Sequence, residues 1–283
     1  MPRELEKYQL IERSLIKKYR KEIWNPFIAG VKRYEMINDG DKIAVCISGG
    51  KDSMIMANLL RHLQRISDTK FELVYLVMDP GYNKVNRERI EQNAKLMNIP
   101  LTVFESDIFD SVNGMGGSPC YICARMRRGH LYAKAKELGC NKIALGHHFS
   151  DVIETTLLGM MYGAQIQAML PKLHSTNFEG MELIRPLYMV REDDIKAWVR
   201  YNDLKFLECA CSFTAKNQQQ SDQELLSKRK EMKELISQFR KISPYIDMNI
   251  FKSVHNVNLE TVIGYHKGEE HHSFLDDYDD VIN

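Results

Sequence analysis

The chain has 283 residues, of which 44% are hydrophobic and 27% charged, and its formal net charge is +1. This composition is typical of a globular protein with a substantial core. No apolar run approaches the roughly 20 residues of a membrane helix, and the start MPRELEKYQL lacks the apolar stretch of a secretory signal, so we expect a cytoplasmic protein without membrane association. Six cysteines are too few for a disulfide scaffold in a chain of this length.

The first predicted elements are helical. Apolar residues recur every three or four positions over residues 5–37, which predicts a helical N-terminal extension that is interrupted before Pro26. A turn at residues 38–41 leads into the continuous apolar run KIAVCI at 42–47. Such a run is typical of a strand that is buried on both faces.

Beyond this strand, predicted helices and strands alternate. The helices are expected at residues 53–64, 83–97, 123–138 and 151–162, and the strands at 71–78, 101–105, 142–145 and 183–185. Repeated β-α units of this size predict an α/β fold, a doubly wound parallel sheet of about five strands with helices on both faces. Ligands in such folds bind at the carboxyl ends of the strands. Two further helices are expected at 191–201 and 219–242.

The stretch ISGGKDS, residues 47–53, lies where the first strand ends and a helix begins. Backbone N–H groups and a helix N-terminus surround one point there, which predicts a phosphate site. The glycines allow close approach to the anion, Ser48 and Ser53 offer hydroxyl donors, and Lys51 adds positive charge. The alternative is a glycine-rich turn with an N-capping serine, but the Lys-Asp-Ser continuation favours phosphate. The spacing differs from the Walker A pattern.

Four cysteines form two close pairs. Cys120 and Cys123 make a CxxC pair before the basic run ARMRRG, and Cys209 and Cys211 stand in a separate CAC segment. A CxxC pair alone is compatible with a redox dithiol, half a zinc site or an iron–sulfur anchor. A third thiolate from the CAC segment would leave one iron of a four-iron cluster open to sulfide. Two unrelated pairs of structural cysteines are the alternative.

A second motif, KIALGHHFSD at residues 142–151, again takes a strand through a glycine into a helix. His147, His148 and the acidic first turn with Asp151 and Glu154 would face a nucleotide at the carboxyl end of the strand. Taken alone, the two histidines are typical of an ordinary loop. Their position beside the glycine loop favours a catalytic or binding role.

These segments together resemble a known family. The loop SGGKDS resembles the pyrophosphate loop of the ATP pyrophosphatases. The segments CISGGKDS, CYICARMRRGHLY, KIALGHHFSD, MYGAQIQAMLPKL and IRPLYMVREDDI resemble, in order, the tRNA 2-thiocytidine synthetase family of iron–sulfur-dependent tRNA thiolases. The resemblance implies a PP-loop domain at residues 41–215, a helical N-terminal extension at 1–40, and a helical C-terminal extension with an acidic tail at 216–283.

The resemblance also implies the site residues. The expected cofactors are ATP, Mg²⁺ and a 4Fe-4S cluster on Cys120, Cys123 and Cys211, with Cys209 as the substitute for Cys211. The expected nucleotide-binding residues are Ser48, Gly49, Gly50, Lys51, Asp52, Ser53, Met78, Gly146 and His147. Catalytic roles are expected for Lys51, Asp52 and Asp151. Two departures from the family are Ser150 before Asp151, where relatives have a second aspartate, and the narrow CAC spacing.

The implied reaction adenylates a ring carbonyl of a tRNA base, cytidine by resemblance, and replaces its oxygen with sulfur. The expected partners are tRNA and a sulfur donor, either a cysteine desulfurase or sulfide, and the expected assembly is a homodimer. RNA contacts are expected from the N-terminal helix and from Arg125, Arg127, Arg128 and Arg185. Two alternatives are a lysidine-synthetase-like tRNA ligase, which needs no cysteine trio, and a non-catalytic, zinc-stabilised RNA-binding protein.

Overall fold

The computed structural model describes residues 4–106, 119–207, 220–276 and 278, with only the backbone of residues 119–125 and 220–227. Its centre is a six-stranded sheet. The strands are β1 (Lys42–Ile47), β2 (Glu72–Asp79), β3 (Leu101–Glu105), β4 (Lys142–Ala144), β5 (Lys172–His174) and β6 (Glu182–Ile184). Their order is β3-β2-β1-β4-β6-β5, and all neighbours are parallel except β5, which pairs antiparallel with β6. The doubly wound parallel sheet is confirmed, and the predicted count of five strands was one too few.

The first strand lies in the middle of the sheet because both of its faces are apolar. Ile43, Val45 and Ile47 point into the larger hydrophobic core, and Ala44 and Cys46 point into a smaller core on the opposite face. Alternate residues of a strand face opposite sides of its sheet, so a continuous apolar run is what a central strand requires.

Helices follow the parallel strands as predicted, with ends that shift by a few residues. They are α3 (Lys51–Ile66), α4 (Lys84–Leu96), α5 (Pro119–Glu137), α6 (Phe149–Tyr162) and α7 (Glu192–Tyr201). In the sheet order, β2 and β3 lie on one side of β1, and β4 lies on its other side. The loops that leave β1 and β4 therefore meet at a crevice, which is where doubly wound folds bind their ligands.

The N-terminal extension consists of α1 (Lys7–Ile16), a π-helix (Arg20–Trp24) and α2 (Asn25–Arg33). Pro26 lies in the first turn of α2, which follows the π-helix without a break, and the helical extension is interrupted earlier than predicted, by a turn at residues 17–19. Proline is tolerated there because the first-turn N–H groups have no partner within the helix. Ile11, Leu15 and Phe27 belong to the larger core, so the extension packs directly on the sheet domain.

The C-terminal part contains α8 (Gln220–Ile242) and α9 (Ile246–Ser253), and both helices pack against α6. A short 3-10 helix (Leu259–Thr261) leads to a hairpin of β7 (Gly264–Lys267) and β8 (Glu270–Ser273), which the sequence patterns did not predict. Among the described helices, none combines the length and the hydropathy that a membrane span requires. The CAC segment lies outside the described residues.

Candidate active site

The glycine loop joins β1 to α3 through a network of hydroxyl groups. The Ser53 hydroxyl donates to the carbonyl of Gly50 at 3.0 Å and accepts from the backbone N–H and the hydroxyl of Ser48, both at 3.2 Å. In this conformation the Ser53 hydroxyl bonds only within the loop, and its predicted contact with a ligand stays a prediction. The first N–H groups of α3 have no partner within the helix and are available to an anion.

Two glycines, one in the loop after β1 and one in the loop after β4, permit close contacts with neighbouring parts of the chain. Gly49 has φ of +83°, and a Cβ atom there would lie 2.6 Å from the Ile90 side chain. A Cβ atom on Gly146 would lie 3.1 Å from the backbone of Asp52 and Ser53. The loop after β1 therefore requires a glycine at position 49, for its backbone conformation and for the space available. The loop after β4 requires Gly146 for the space available.

A cavity of about 360 Å³ opens at this point, between the glycine loop, the β4–α6 loop and helix α5. The predicted site residues that line it are Ser48, Asp52, Ser53, Met78, Gly146, His147 and Asp151. Arg127 and Leu131 of α5 complete the wall. Gly49, Gly50 and Lys51 are not among its lining residues, although they form the loop that borders it.

Two buried polar atoms at this cavity have no hydrogen-bond partner among the described residues. They are Oδ1 of Asp52 and Nδ1 of His147. Burial, assisted by the positive charge of Arg185, lowers the pKa of His147 to about 4, so the imidazole is neutral at pH 7. Unpaired buried polar atoms are costly, and both are placed to contact a ligand in the cavity.

The loop lysine is held by a carboxylate that the sequence analysis missed. Nζ of Lys51 lies 3.0 Å from Asp52 and 3.0 Å from Glu192, at the start of α7. Burial acts to lower the pKa of Lys51, but the two carboxylates outweigh it and raise this pKa. Burial likewise acts to raise the pKa of Glu192, yet hydrogen bonds from Lys196 and Lys51 lower it to about 2. The pair is thus ionised at neutral pH.

The two histidines of the second motif have different environments. His148 is buried and caps α6: its Nδ1 accepts from the N–H of Asp151 at 3.3 Å, and its own N–H donates to the Asp151 carboxylate at 2.9 Å. Such a reciprocal capping box stabilises a helix start. His147 lines the cavity, whereas the Asp151 carboxylate both caps the helix and borders the cavity.

The described chain that leads to each cysteine pair lies beside the cavity or the glycine loop. Cys123 stands one helical turn before Arg127 on α5, and Arg127 lines the cavity. The N–H of Leu207, the last described residue before the CAC segment, donates to the carbonyl of Gly49 at 3.3 Å.

In the part of the chain that the structure describes, no group of three or more His, Cys, Asp or Glu side chains could hold a metal ion. The two described free cysteines, Cys46 and Cys140, are buried. Burial raises the pKa of Cys46 to about 12, as expected for a core thiol.

A glycine loop at the switch point of a doubly wound sheet is shared by several classes of nucleotide-binding protein. The model of the PP-loop domain family matches residues 14–219, so the class here is that of the PP-loop proteins. The chain is 36% identical to a tRNA-cytidine(32) 2-sulfurtransferase of Alcanivorax borkumensis over 253 residues, which cover 87% of this chain and 84% of the relative. It is 34% identical to the enzyme of that name from Geobacter sulfurreducens over 240 residues, with 84% and 90% covered. The chain belongs to the PP-loop domain family and, within it, to the family of the tRNA-cytidine(32) 2-sulfurtransferases.

The fold is also similar to a solved structure, the U34-tRNA thiolase NcsA from Methanococcus maripaludis with its 4Fe-4S cluster. The TM-score is 0.64 at 20% sequence identity, and the match covers 87% of this chain and 84% of NcsA. At this level of identity the likeness concerns the fold.

Proposed function

We propose that this protein is an ATP-dependent tRNA sulfurtransferase that converts a cytidine, position 32 by the names of its relatives, to 2-thiocytidine. The observation that carries the proposal is the meeting of three segments at the glycine loop and its cavity. The glycine loop and the CxxC helix line the cavity, and the chain that leads into the CAC segment contacts the glycine loop. A nucleotide-binding loop alone would serve ligation equally well, and the cysteine segments favour sulfur transfer.

The residues at the cavity fit a nucleotide. The loop N–H groups and the N-terminus of α3 hold the pyrophosphate portion of ATP. Oδ1 of Asp52 is buried without a hydrogen-bond partner among the described residues, although Nε2 of His148 lies 3.8 Å away, and a carboxylate oxygen is the ligand that Mg²⁺ prefers. Lys51, oriented by Glu192, neutralises charge on the phosphates, while Met78, Gly146 and His147 border the nucleoside.

The chemistry has two displacement steps and involves no net oxidation. The O2 oxygen of cytidine attacks the α-phosphorus, the bond to the β-phosphate oxygen breaks, and pyrophosphate leaves. Hydrosulfide then attacks C2, the C2–O bond breaks, and the oxygen departs with AMP while the sulfur loses its proton. Adenylation is required because a ring carbonyl oxygen is a poor leaving group.

Thiolate donors for a 4Fe-4S cluster are Cys120, Cys123 and either Cys211 or Cys209, a donor set that suits iron–sulfur ligation. When bound, such a cluster would supply the sulfur that replaces the activated oxygen. The sulfur donor is a cysteine desulfurase or sulfide, and the active form is a homodimer in the cytoplasm.

The test combines nucleoside analysis with one cysteine variant. Mass spectrometry of tRNA nucleosides should show 2-thiocytidine lost in a deletion strain and restored by the wild-type gene. Cys120→Ala should abolish thiolation in an anaerobic assay but keep tRNA-dependent pyrophosphate release, and Cys140→Ala in the core should retain both.

Other outcomes separate the alternatives. An unchanged thionucleoside profile in the deletion strain would contradict the proposal. An amine adduct on the tRNA, formed equally by Cys120→Ala, would indicate a ligase. Bound zinc without pyrophosphate release would indicate a non-catalytic RNA-binding protein.

A further inference from the structure

A basic pocket lies between α1 and the C-terminal end of α7. Its volume is about 460 Å³, and none of the residues that line it is acidic. The lining includes four cationic side chains and two exposed apolar ones, which are Lys7, Arg13, Lys17, Lys18, Leu10 and Tyr201. The carboxylate within α1, Glu12, points to α3 and forms its ion pairs there. No carboxylate in the described part of the chain forms an ion pair with any of the four cations.

Buried hydrogen bonds hold the two walls of this pocket together. The Ser14 hydroxyl of α1 accepts from the indole N–H of Trp198 at 2.9 Å and from the amide of Asn202 at 3.1 Å. All three side chains are buried. At the pocket wall, Nζ of Lys18 lies 3.8 Å from the centroid of the Tyr201 ring, a cation–π contact that orients the ammonium group. The fold therefore determines where these cations stand relative to one another.

The spacing of the cations matches an extended anion better than a small one. Lys7 and Lys17 stand at opposite ends of α1, ten residues apart, which is about 15 Å along a helix. One phosphate group accepts hydrogen bonds only over about 3 Å and cannot contact both ends of such a row. Like charges that share a pocket repel one another, and a polyanion neutralises them while it releases its own counterions. A stripe of this kind is typical of a nucleic-acid contact.

The pocket is separate from the site that receives ATP. The two cavities have no lining residue in common. Helix α7 connects them: its first residue, Glu192, contacts Lys51 of the glycine loop, and its last residue, Tyr201, lines the basic pocket. Nine helical steps of 1.5 Å separate these two residues by about 14 Å. The phosphates of ATP at the glycine loop therefore do not reach the pocket, whereas a tRNA extends well beyond its target base.

We propose that this basic pocket binds the sugar–phosphate backbone of the tRNA, at a point remote from the nucleotide that is modified. The inference rests on the proposed function, because that function supplies tRNA as the polyanion. It assigns Lys7, Arg13, Lys17 and Lys18 to phosphate contacts and Tyr201 to the positioning of Lys18. The N-terminal extension is then an anchor for the tRNA while the target base occupies the active site.

The experiment measures the affinity of the full chain for an unmodified tRNA by fluorescence anisotropy over a series of salt concentrations. The double variant Arg13→Gln, Lys17→Gln should weaken binding about tenfold and reduce the slope of log affinity against log salt by about 2, since two phosphate contacts are lost. Its affinity for ATP should equal that of wild type, because the two cavities share no residue.

Two control variants accompany it. Lys95→Gln, Lys241→Gln removes two charges from exposed positions on α4 and α8 and should leave the tRNA affinity and the slope unchanged. Arg13→Lys, Lys17→Arg exchanges the two cations and keeps both charges, so it should bind tRNA within about twofold of wild type, with the same slope. A role of Arg13 and Lys17 in folding alone would change the thermal unfolding of the Gln variant and not its salt slope.

The outcomes separate this inference from the proposed function. If the wild type thiolates tRNA but Arg13→Gln, Lys17→Gln binds it with wild-type affinity and slope, the inference is wrong and the function stands. A loss of the same size in Lys95→Gln, Lys241→Gln would also overturn the inference, because net charge alone would explain it. Binding to vesicles of phosphatidylserine that needs Arg13 and Lys17, with tRNA binding unaffected, would assign the pocket to lipid and overturn it too. If the expected losses appear but the wild type does not thiolate, the RNA site stands and the proposed function fails.

Discussion

Individual residues at the glycine loop perform tasks that their type makes predictable. The motif SGGKDS indicates a phosphate loop because glycines, hydroxyls and a lysine between a strand and a helix have few other uses. The partner of Lys51 was not predictable, because Glu192 is distant in sequence and meets the lysine only through the packing of α7 beside α3. IRPLYMVREDDI marked the segment, but nothing within it distinguishes Glu192 from the two aspartates that follow.

Gly49→Ala should disable the loop. The alanine would have to adopt the left-handed backbone conformation of Gly49, and its methyl group would lie 2.6 Å from the Ile90 side chain. We therefore expect the free energy of unfolding to fall by about 2 kcal/mol and ATP binding to be lost. Gly40→Ala is the matched control: its φ is +82° but a Cβ there has nothing within 4 Å. Denaturant unfolding and nucleotide titration should show backbone strain in both variants and lost ATP binding only in Gly49→Ala. Equal ATP affinities would contradict the predicted role of this contact.

Glu192→Gln should slow adenylation without unfolding the protein. The amide can still accept from Lys51 but no longer offers a negative charge, so the ammonium is held less firmly and the rate of tRNA-dependent pyrophosphate release should fall roughly tenfold. Glu88→Gln, which breaks an exposed pair with Lys84 on α4, serves as the control and should retain the wild-type rate. A wild-type rate in Glu192→Gln would show that Asp52 alone positions the lysine.

At the scale of elements, the pattern of apolar residues predicted the parallel strands and their helices. Helices cover both faces of each parallel strand, so the sequence of such a strand is a nearly continuous apolar run. The missed strand, β5, has three residues, Lys-Leu-His, and lies antiparallel at the sheet edge. An edge strand of this length buries too little to leave a periodic pattern. The start of α6 was placed two residues late, because His148 is an uncommon N-cap and the predicted start was the acidic turn.

The contact between α6 and α8 should give the protein a pH-dependent stability. Glu154 on α6 is 2% exposed and lies 3.7 Å from Arg229 and 3.8 Å from Lys233 of α8. Burial dominates and raises its pKa from 4.5 to about 7. The native state therefore binds a proton more tightly than the unfolded state, and the free energy of unfolding falls as pH rises from about 4.5 to 7.

Glu154→Gln removes this titration. We compare the free energy of unfolding of the variant with that of wild type by urea unfolding at two pH values, one on either side of the transition. The variant-minus-wild-type difference should be about 1–2 kcal/mol larger at the alkaline pH than at the acidic pH. Glu234→Gln, in an exposed pair on α8, should show no such gain. Parallel pH profiles for wild type and Glu154→Gln would show that the two cations compensate fully for burial.

At the scale of the whole molecule, a buried group of ion pairs joins the N-terminal helix α1 to α3, the helix that follows the glycine loop. The buried carboxylate of Glu12 on α1 accepts from Arg61 at 3.2 Å and from Arg65, and lies 2.6 Å from Nδ1 of His62, all on α3. The helical extension was predictable from its periodicity. This attachment was not, because buried charges are rare and the sequence gives no sign of which helix supplies their partners.

Glu12→Gln should loosen that attachment. Burial acts to raise the pKa of Glu12, but His62, Arg65 and Arg61 outweigh it and lower this pKa below 4.5. The carboxylate therefore contributes stability that is present above about pH 4.5 and is lost as pH falls further. We expect a cost of about 2 kcal/mol at neutral pH, measured by urea unfolding, that shrinks on acidification. Glu4→Gln, at an exposed position, should cost nothing, and a pH-independent difference for Glu12→Gln would contradict this account.

The hydrogen bond from Leu207 to Gly49 ties the start of the CAC segment to the loop that receives ATP. Where two binding events share a backbone contact, any coupling free energy between them is reciprocal. Under the proposed function, the factor by which nucleotide binding raises the affinity of the CAC segment for a metal cluster is also the factor by which cluster loading raises the affinity for nucleotide. The ATP affinity measured without tRNA would then report whether the cluster is present.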